Sequence, residues 1–495
     1  MLGLKATLLA LVCTALPSYI QAQQLPFAPH LHQEQLVRLS WPSRSAAEEA
    51  VAWLDDNNFD VWSTTPQHTT LRLSPSQHEQ LSSSHLSPSA LDVLLPSIAD
   101  HLDSTTLTPT FNLQHSEAAV ANLSSTRLQA LDDPIHDSYH SLDALYQILR
   151  RFEEEFSDYA HIVKVGESAE GKDILGLKVT NQSYTPTVSR SQDDVVDSHF
   201  EDSDGIHALK HKKHKIHKKL GFVVAGGQHA REWIAPSVVL YLIHDLLLST
   251  VYVPYPSHSH RTYSRPTAAH LLDTVEFTFI PTLNPDGYSW TWATEGDRLW
   301  RKNRQPTGDG CYGVDMNRNW GFKWASGSRP NPCSDAYAGE GPFESPELRA
   351  VRDYLLEKKN NVKGFLDVHS FGQMIMFPFS YSCSRSSPDE ENHFEGVVWA
   401  AKALRAVHGK NFEVGSVCEV SLTAPGDSID WTYAVGKIRW SFSVELRGGI
   451  FGFLLPPAQI RPSGEEMSAA FVALADYVVR KEEGQRFDIA REKEI

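Results

Sequence analysis

The stretch Gly221-Phe-Val-Val-Ala-Gly-Gly-Gln-His-Ala-Arg-Glu-Trp233 decides the fold of this chain. It opens with a short apolar run of the length of a buried strand, and the apolar residues 236–248 that follow have the length of a helix. His229 and Glu232, which can bind metal or move protons, stand between the two elements. Because ligand sites in open α/β sheets form where strands end, this order predicts an α/β domain with a functional site at the end of the strand.

Outward from this stretch, short apolar strands continue to alternate with helices. This alternation predicts an α/β fold with a mixed, mostly parallel central sheet and helices on both faces. The predicted strands are residues 174–180, 221–226, 275–280, 363–368 and 440–446, and the predicted helices are residues 141–156, 236–248, 347–359 and 463–483.

The 495 residues are too many for one ordinary core. Residues 23–102 predict a small α+β unit, with strands at 36–41, 59–62 and 68–73 and helices at 45–55 and 89–102. The predicted divisions are a signal peptide at 1–22, this N-terminal domain at 23–102, a Ser/Thr-rich linker at 103–131, the large domain at 132–485 and a tail at 486–495.

The N-terminus predicts delivery to the secretory pathway. A single positive charge at Lys5 precedes an apolar run over residues 6–17 and a small residue at Ala22, the order of a cleavable signal peptide. The run is too short to span a bilayer, and no later segment predicts a membrane span. The net charge of −16 argues against general nucleic-acid binding. The protein is therefore expected outside the cell or in a vacuole.

The cysteine count agrees with this route. Cys13 falls in the signal peptide, which leaves an even number of cysteines for disulfide bonds in an oxidising compartment. Three pairings are possible, of which Cys311–Cys333 with Cys383–Cys418 is the most local. The triplets at Asn122 and Asn181 are N-glycosylation sequons.

Residues 182–219 lack any periodicity and divide into an acidic half and a half rich in His and Lys. Such a composition is typical of a disordered surface insertion. A tether for a transition metal or a processing site is the alternative interpretation.

Polar residues stand at three predicted strand ends: His229 with Glu232, then His369, then Glu445. Two histidines and one carboxylate form a zinc ligand set with an open position, and a further carboxylate could act as a general base. Each has a structural alternative: His369 could be an ordinary histidine at a strand end, and Glu445 could pair with Arg447. A carboxylate among apolar residues is costly without a partner, which favours function.

The neighbouring residues resemble the carboxypeptidase A/B family of zinc metallocarboxypeptidases, in the secreted procarboxypeptidase form with fungal-like relatives. The resemblance covers about residues 135–485 and extends more weakly to the N-terminal domain as an activation domain. The stretches that carry it, in the family's order, are Gly226-Gly-Gln-His-Ala-Arg-Glu-Trp233, Pro281-Thr-Leu-Asn-Pro-Asp-Gly287, Arg298-Leu-Trp-Arg-Lys-Asn303, Gly313-Val-Asp-Met-Asn-Arg-Asn-Trp320, Asp367-Val-His-Ser370, Ser428-Ile-Asp-Trp431 and Gly452-Phe-Leu-Leu-Pro456.

The resemblance implies one Zn²⁺ per chain, bound by His229, Glu232 and His369. It also implies that Asp315 hydrogen-bonds a ligand histidine and so sets its tautomer. The four cysteines that remain after signal cleavage are expected to be disulfide-bonded.

The resemblance likewise implies the catalytic and substrate-binding residues. Glu445 would be the general acid/base, and Arg301 would stabilise the developing oxyanion. Arg318 with Asn317 would bind the C-terminal carboxylate of a peptide or protein substrate, a task suited to a planar guanidinium. Outer subsites would include Arg231, Arg298, Ser370 and Phe371. Ile429 falls where the family sets side-chain preference, which implies apolar or aromatic C-terminal residues, although simple core filling is compatible with it.

The implied protein is a monomeric exopeptidase, kept as a zymogen until an activating protease cuts the linker. The chain departs from the family at Leu422. Family members have at this position a tyrosine that closes over the bound C-terminus of the substrate, so this chain lacks that phenol hydroxyl. Since the family includes fungal relatives that are inactive, a zinc-binding protein without catalysis, with a peptide-binding or cell-wall role, is the alternative. Retention of Glu445, Asn317, Arg318 and Arg301 favours an enzyme.

Overall fold

A computed structural model of the chain describes residues 33–104, 116–118, 128, 133–183, 218–250, 265–293, 295–308, 310–324 and 331–484. The predicted signal peptide, the sequon at Asn122, the tail, and most of the linker and of the insertion at 182–219 lie outside these residues, so those predictions stay untested.

The large domain is built on an eight-stranded sheet with the strand order β11-β10-β12-β9-β7-β8-β6-β5. The pairs β7–β8, β7–β9, β9–β12 and β10–β11 are parallel and the others are antiparallel, so the predicted mixed α/β fold is confirmed. Its strands are β5 (Ala160–Glu167), β6 (Asp173–Val179), β7 (Leu220–Gly226), β8 (Val275–Ile280), β9 (Val362–Ser370), β10 (Met374–Phe377), β11 (Glu413–Ser416) and β12 (Trp440–Leu446).

Helices cover both faces of this sheet. The helix α5 (Ile234–Leu248) is largely apolar and every residue of it is buried. It packs on α12 so closely that a Cβ at Gly464 would lie 2.3 Å from the Tyr241 ring. The helices of this domain are α4 (Leu142–Glu155), α5 (Ile234–Leu248), α6 (Arg265–Thr274), α7 (Pro285–Trp292), α8 (Pro346–Leu356), α9 (Glu390–His408), α10 (Val417–Val420), α11 (Ser428–Ala434) and α12 (Ile460–Glu482).

The N-terminal domain has its own antiparallel sheet with the strand order β2-β3-β1-β4. The strands are β1 (Gln35–Ser40), β2 (Asp60–Thr64), β3 (His68–Leu73) and β4 (Ala90–Leu95), and the helices are α1 (Arg44–Asp56), α2 (Pro75–Ser82) and α3 (Ile98–Ser104). The predicted helix over 89–102 is wrong over residues 90–95, which form β4, and a helix is present only from residue 98, as α3. Pro96 disfavours helical backbone at the residue before it, and the preceding segment pairs instead with β1 as β4.

Two disulfide bonds join Cys311 to Cys333 and Cys383 to Cys418, with Cα–Cα distances of 5.2 and 5.3 Å. The most local of the three possible pairings is thus the one formed. The amide nitrogen of Asn181, where a glycan would attach, donates to Asp273 at 2.7 Å. Within the described residues, no helix has both the length and the apolar character needed to cross a membrane.

Candidate metal centre and substrate cleft

Three buried ligand side chains meet at the end of the central strands. His229 and Glu232 follow β7, and His369 lies near the end of β9, the strand beside it. The Nδ1 atom of His229 lies 2.7 Å from Oε1 of Glu232, and the Nδ1 atom of His369 lies 3.1 Å from Oε2. The three ligand atoms are within 4.8 Å of one another. Two imidazoles and a carboxylate in this grouping suit Zn²⁺ with one position left for water or substrate.

Both imidazoles are held from behind by carboxylates. Nε2 of His229 lies 3.1 Å from Asp315, and Nε2 of His369 lies 3.0 Å from Asp367. The Asp315 pairing predicted from the sequence is therefore present in the structure. Since these contacts keep the proton on Nε2, the lone pair on Nδ1 of each ring is free to bind a metal.

The electrostatics of the site are dominated by these carboxylates. Although burial opposes it, the charges of His229 and His369 hold the pKa of Glu232 well below its ordinary value. Burial likewise opposes the shift at His369, but Asp367 and Glu232 raise the pKa of that imidazole well above its ordinary value. The site therefore carries an excess of negative charge, which favours a divalent cation in place of protons.

Arg301 lies beside this group on a loop and is fixed by Asp315. Its Nε and Nη2 atoms both donate to Oδ2 of Asp315, at 3.1 and 2.8 Å. Asp315 therefore holds a ligand histidine with one oxygen and a guanidinium with the other. The contact orients Arg301 without covering its remaining donors, as an oxyanion-stabilising group requires.

Glu445 projects into the same site from β12, in register with His369 on β9. Its Oε2 atom is inaccessible to solvent and has no hydrogen-bond partner among the described residues. Burial and then repulsion from Glu232 raise the pKa of Glu445 to about 8, against the opposing charges of His369 and Arg301. The ion pair with Arg447 considered from the sequence is not formed, because Arg447 instead pairs with Glu466.

A cavity of about 390 Å³ connects these groups. The sequence-predicted residues that line it are His229, Glu232, Arg301, Asn317, Arg318, His369, Ser370, Phe371 and Glu445. Four others do not line it. Arg231 and Arg298 are buried beside it, and Arg298 donates to the carbonyls of Arg231 and Phe453 at 2.9 and 3.0 Å. Asp315 lies behind the ligands, and Ile429 is fully buried in an apolar cluster.

The N-terminal domain forms the roof of this cavity. Glu48, Val51, Ala52 and Asp55 of α1 contribute to its lining, as does the β2 segment. Asp60 is the central contact: its Oδ1 atom lies 2.6 Å from Arg231 and its Oδ2 atom lies 2.8 Å from Arg72. Trp62 packs on Phe453 with ring centroids 4.9 Å apart.

Three features of the site were missed by sequence reasoning. Asp367 stands two residues before His369 on one strand, a spacing that places both side chains on the same face, and this signal could have identified it. Asp60 belongs to the other domain, so no local pattern relates it to Arg231. Asp427, which lines the cavity, stands two residues before the predicted specificity position.

Comparison with known proteins agrees with this geometry. Residues 145–470 match the zinc carboxypeptidase family, Peptidase_M14. The chain is 30% identical over 475 residues to "Inactive metallocarboxypeptidase ecm14" of Schizosaccharomyces pombe, covering 93% of this chain and 87% of that protein. It is 34% identical to "Metallocarboxypeptidase A-like protein" of Trichophyton verrucosum over 358 residues, covering 71% and 74%.

Two solved structures each match about nine-tenths of this chain. Thrombin activatable fibrinolysis inhibitor (TAFI) superposes with a TM-score of 0.66 at 26% identity, covering 90% of this chain and 99% of that one. The carboxypeptidase A of Helicoverpa armigera shares the fold with a TM-score of 0.68 at 22% identity, covering 91% and 99%.

The chain therefore belongs to the zinc carboxypeptidase family. The family is zinc-dependent, and His229, Glu232 and His369 form a donor set that fits the ion.

Proposed function

We propose that this protein is a zinc-dependent metallocarboxypeptidase that hydrolyses the C-terminal peptide bond of peptides and proteins. The observation that carries the proposal is the half-buried Glu445, whose Oε2 atom has no hydrogen-bond partner among the described residues and which lines the same cavity as the ligand set, Arg301 and Arg318. A carboxylate with a free oxygen beside the ligand set and a pKa raised to about 8 is placed for proton transfer.

The residues divide the chemistry among them. When bound, zinc would polarise the scissile carbonyl and lower the pKa of a water molecule. Glu445 accepts the proton of the attacking water and passes it to the leaving amine. Arg301, held by Asp315, donates to the oxygen on which negative charge develops. Arg318 binds the free C-terminal carboxylate, which restricts the enzyme to the last bond.

The protein is proposed to be a secreted proenzyme. The contacts of Asp60, Trp62 and α1 support an inhibitory role for the N-terminal domain, because they occupy the approach to the cavity. An activating protease would cut the linker at 103–131 and release the monomeric enzyme outside the cell or in a vacuole. Met376 and Val417 on the cavity wall support acceptance of apolar or aromatic C-terminal side chains.

A catalytically inactive zinc-binding protein, with a peptide-binding or cell-wall role, is the second candidate. Two observations favour it: several curated relatives are named inactive, and Leu422 occupies the position where the resemblance places a tyrosine. In the structure Leu422 is buried in the apolar cluster of the N-terminal domain. A leucine at this position therefore packs well while the N-terminal domain covers the cavity, but it supplies no hydroxyl group to a substrate.

The test is a peptide-shortening assay on zinc-loaded protein cut in the linker at an introduced endopeptidase site. We expect loss of one C-terminal residue, detected by mass spectrometry and stopped by a zinc chelator. Glu445→Gln should retain zinc at one ion per chain and lose turnover. Intact peptides with the wild-type protein, despite bound zinc and a removed N-terminal domain, would establish the inactive candidate instead.

A further inference from the structure

One buried carboxylate near the end of β9 is contacted from three different parts of the chain. The Oδ2 atom of Asp367 lies 3.0 Å from Nε2 of the ligand His369. The same oxygen accepts from Nε2 of Gln228 at 2.7 Å and from Oγ of Ser428 at 2.5 Å. Asp367 is fully buried, and its Oδ1 atom has no hydrogen-bond partner among the described residues. All three contacts therefore act on the one oxygen that holds the ligand histidine.

The side chain of Gln228 is itself fixed from its other end. Its Oε1 atom accepts from the indole N–H of Trp320 at 3.0 Å, and an indole nitrogen only donates. The amide nitrogen is therefore the end that faces Asp367. Gln228 is fully buried and does not line the cavity. A buried amide is costly unless it is hydrogen-bonded, and here both of its ends are bonded.

Gln228 also connects the two ligand imidazoles. It immediately precedes His229 in the sequence, and its side chain reaches the carboxylate behind His369 on the neighbouring strand. The Nδ1 atoms of the two rings lie 3.1 Å apart, and two nitrogen ligands on one tetrahedral zinc ion are separated by about 3.3 Å. One residue is thus joined to the first ligand through the backbone and to the second through a hydrogen-bonded carboxylate.

We propose that Gln228 is a positioning residue for metal binding, which holds Asp367 so that the two imidazoles keep the spacing and the tautomer that zinc requires. Without the amide donor, the carboxylate of Asp367 is free to rotate toward its unbonded Oδ1 atom. His369 then loses the fixed acceptor that keeps its proton on Nε2. The inference rests on the zinc binding in the proposed function and not on hydrolysis, so it applies equally to an inactive zinc-binding protein.

The first measurement is the Zn²⁺ affinity of the full chain in competition with a chelating dye. Gln228→Met keeps a long unbranched side chain and removes both hydrogen-bonding ends. It should weaken zinc binding by about 10- to 100-fold, the range for loss of an outer-shell partner of a metal site. The matched control is Thr282→Val, at a buried residue beside Gly227 whose hydroxyl has no hydrogen-bond partner among the described residues. Its affinity should stay within about twofold of wild type.

A double-mutant cycle separates positioning from packing. Asp367→Asn should also weaken zinc binding by about 10- to 100-fold. In that background Gln228→Met should add less than about twofold, because its effect passes through Asp367. The visible absorption bands of the Co²⁺-loaded protein report ligand geometry, and Gln228→Met should shift them while Thr282→Val leaves them in place. Equal losses in both backgrounds with unchanged bands are the result of packing alone and overturn the inference.

Gln228→Asn provides a second variant if Gln228→Met does not fold. Its side chain is one methylene shorter and cannot bond Trp320 and Asp367 together, so it should weaken zinc binding by about tenfold or more. If the wild type binds zinc and the folded Gln228 variants bind it equally well, the inference is overturned and the proposed function stays intact. A wild-type protein that binds no zinc overturns the proposed function together with the inference.

Discussion

Replacement of Asp60 by asparagine tests the attachment of the N-terminal domain to the cleft. Asp60 contacts Arg231 at 2.6 Å, Arg72 at 2.8 Å and the Trp62 indole at 2.9 Å. Of these only Arg231 belongs to the large domain, and its side chain is fully buried. The substitution keeps the shape and removes the charge. Because Arg72 and Trp62 belong to the same domain as Asp60, its effect on domain association comes mainly from the pair with Arg231.

The expected loss of domain-association free energy depends on the hydrogen-bond partners that Arg231 keeps after the substitution. Removing one partner of a buried ion pair costs about 3–5 kcal/mol. Asp335 at 3.2 Å and the Val61 carbonyl at 3.1 Å stay in place, so we expect a smaller loss of about 2–3 kcal/mol in the free energy of domain association. This corresponds to ~30- to 150-fold in the dissociation constant.

The assay uses protein cut in the linker and diluted until the two parts separate on size-exclusion chromatography. The matched control is Asp92→Asn on the exposed strand β4, which should change the dissociation constant by less than about twofold. If Asp60→Asn dissociates no more readily than the control, Arg231 does not hold the domain and the reasoning is refuted.

Four further outcomes are expected. Asp315→Asn should weaken zinc binding by about 10- to 100-fold in competition with a chelating dye, because His229 loses the carboxylate that orients it; unchanged affinity would contradict that role. Leu422→Tyr should raise kcat/KM of the cut enzyme by about tenfold or more by returning a hydrogen bond to a charged group, whereas Leu422→Phe should not. Loss of the Cys383–Cys418 bridge by double serine substitution should lower the free energy of unfolding by about 3–4 kcal/mol for its separation of 35 residues, measured by denaturant titration. When the N-terminal domain covers the cavity, burial raises the pKa of Asp55 to about 7 and of Asp335 to about 6, so the associated domains bind protons more tightly than the separated ones. Domain association should therefore be strongest near pH 4 and weaken as the pH rises through 6 to 7. An affinity between the domains that instead rises across this window would contradict the assignment.

The sequence by itself determined the family, the fold class and the candidate metal ligands. His229, Glu232 and His369 lie next to apolar strands, and their short motifs are local patterns that survive in one sequence. The strand β7 was predictable because a strand buried on both faces is a continuous apolar run, and β12 because apolar residues alternate with polar ones along it. Edge strands such as β5 lack that signal and were not predicted, since only one of their faces is buried and their pairing partner decides their state.

Only the tertiary structure decided which side chains share a surface. Ile429 lies in the first turn of α11 and packs in the core, while Asp427, the N-cap of the same helix, reaches the cavity, and residue type alone does not reveal this. The pair Asp60 and Arg231 joins positions 171 residues apart, so it exists only once both domains are folded and docked. Pro96 could have indicated a break in the helix predicted at 89–102. That residues 90–95 form the strand β4 depends on their hydrogen bonds to β1, a segment distant in sequence, and this pairing leaves no local pattern.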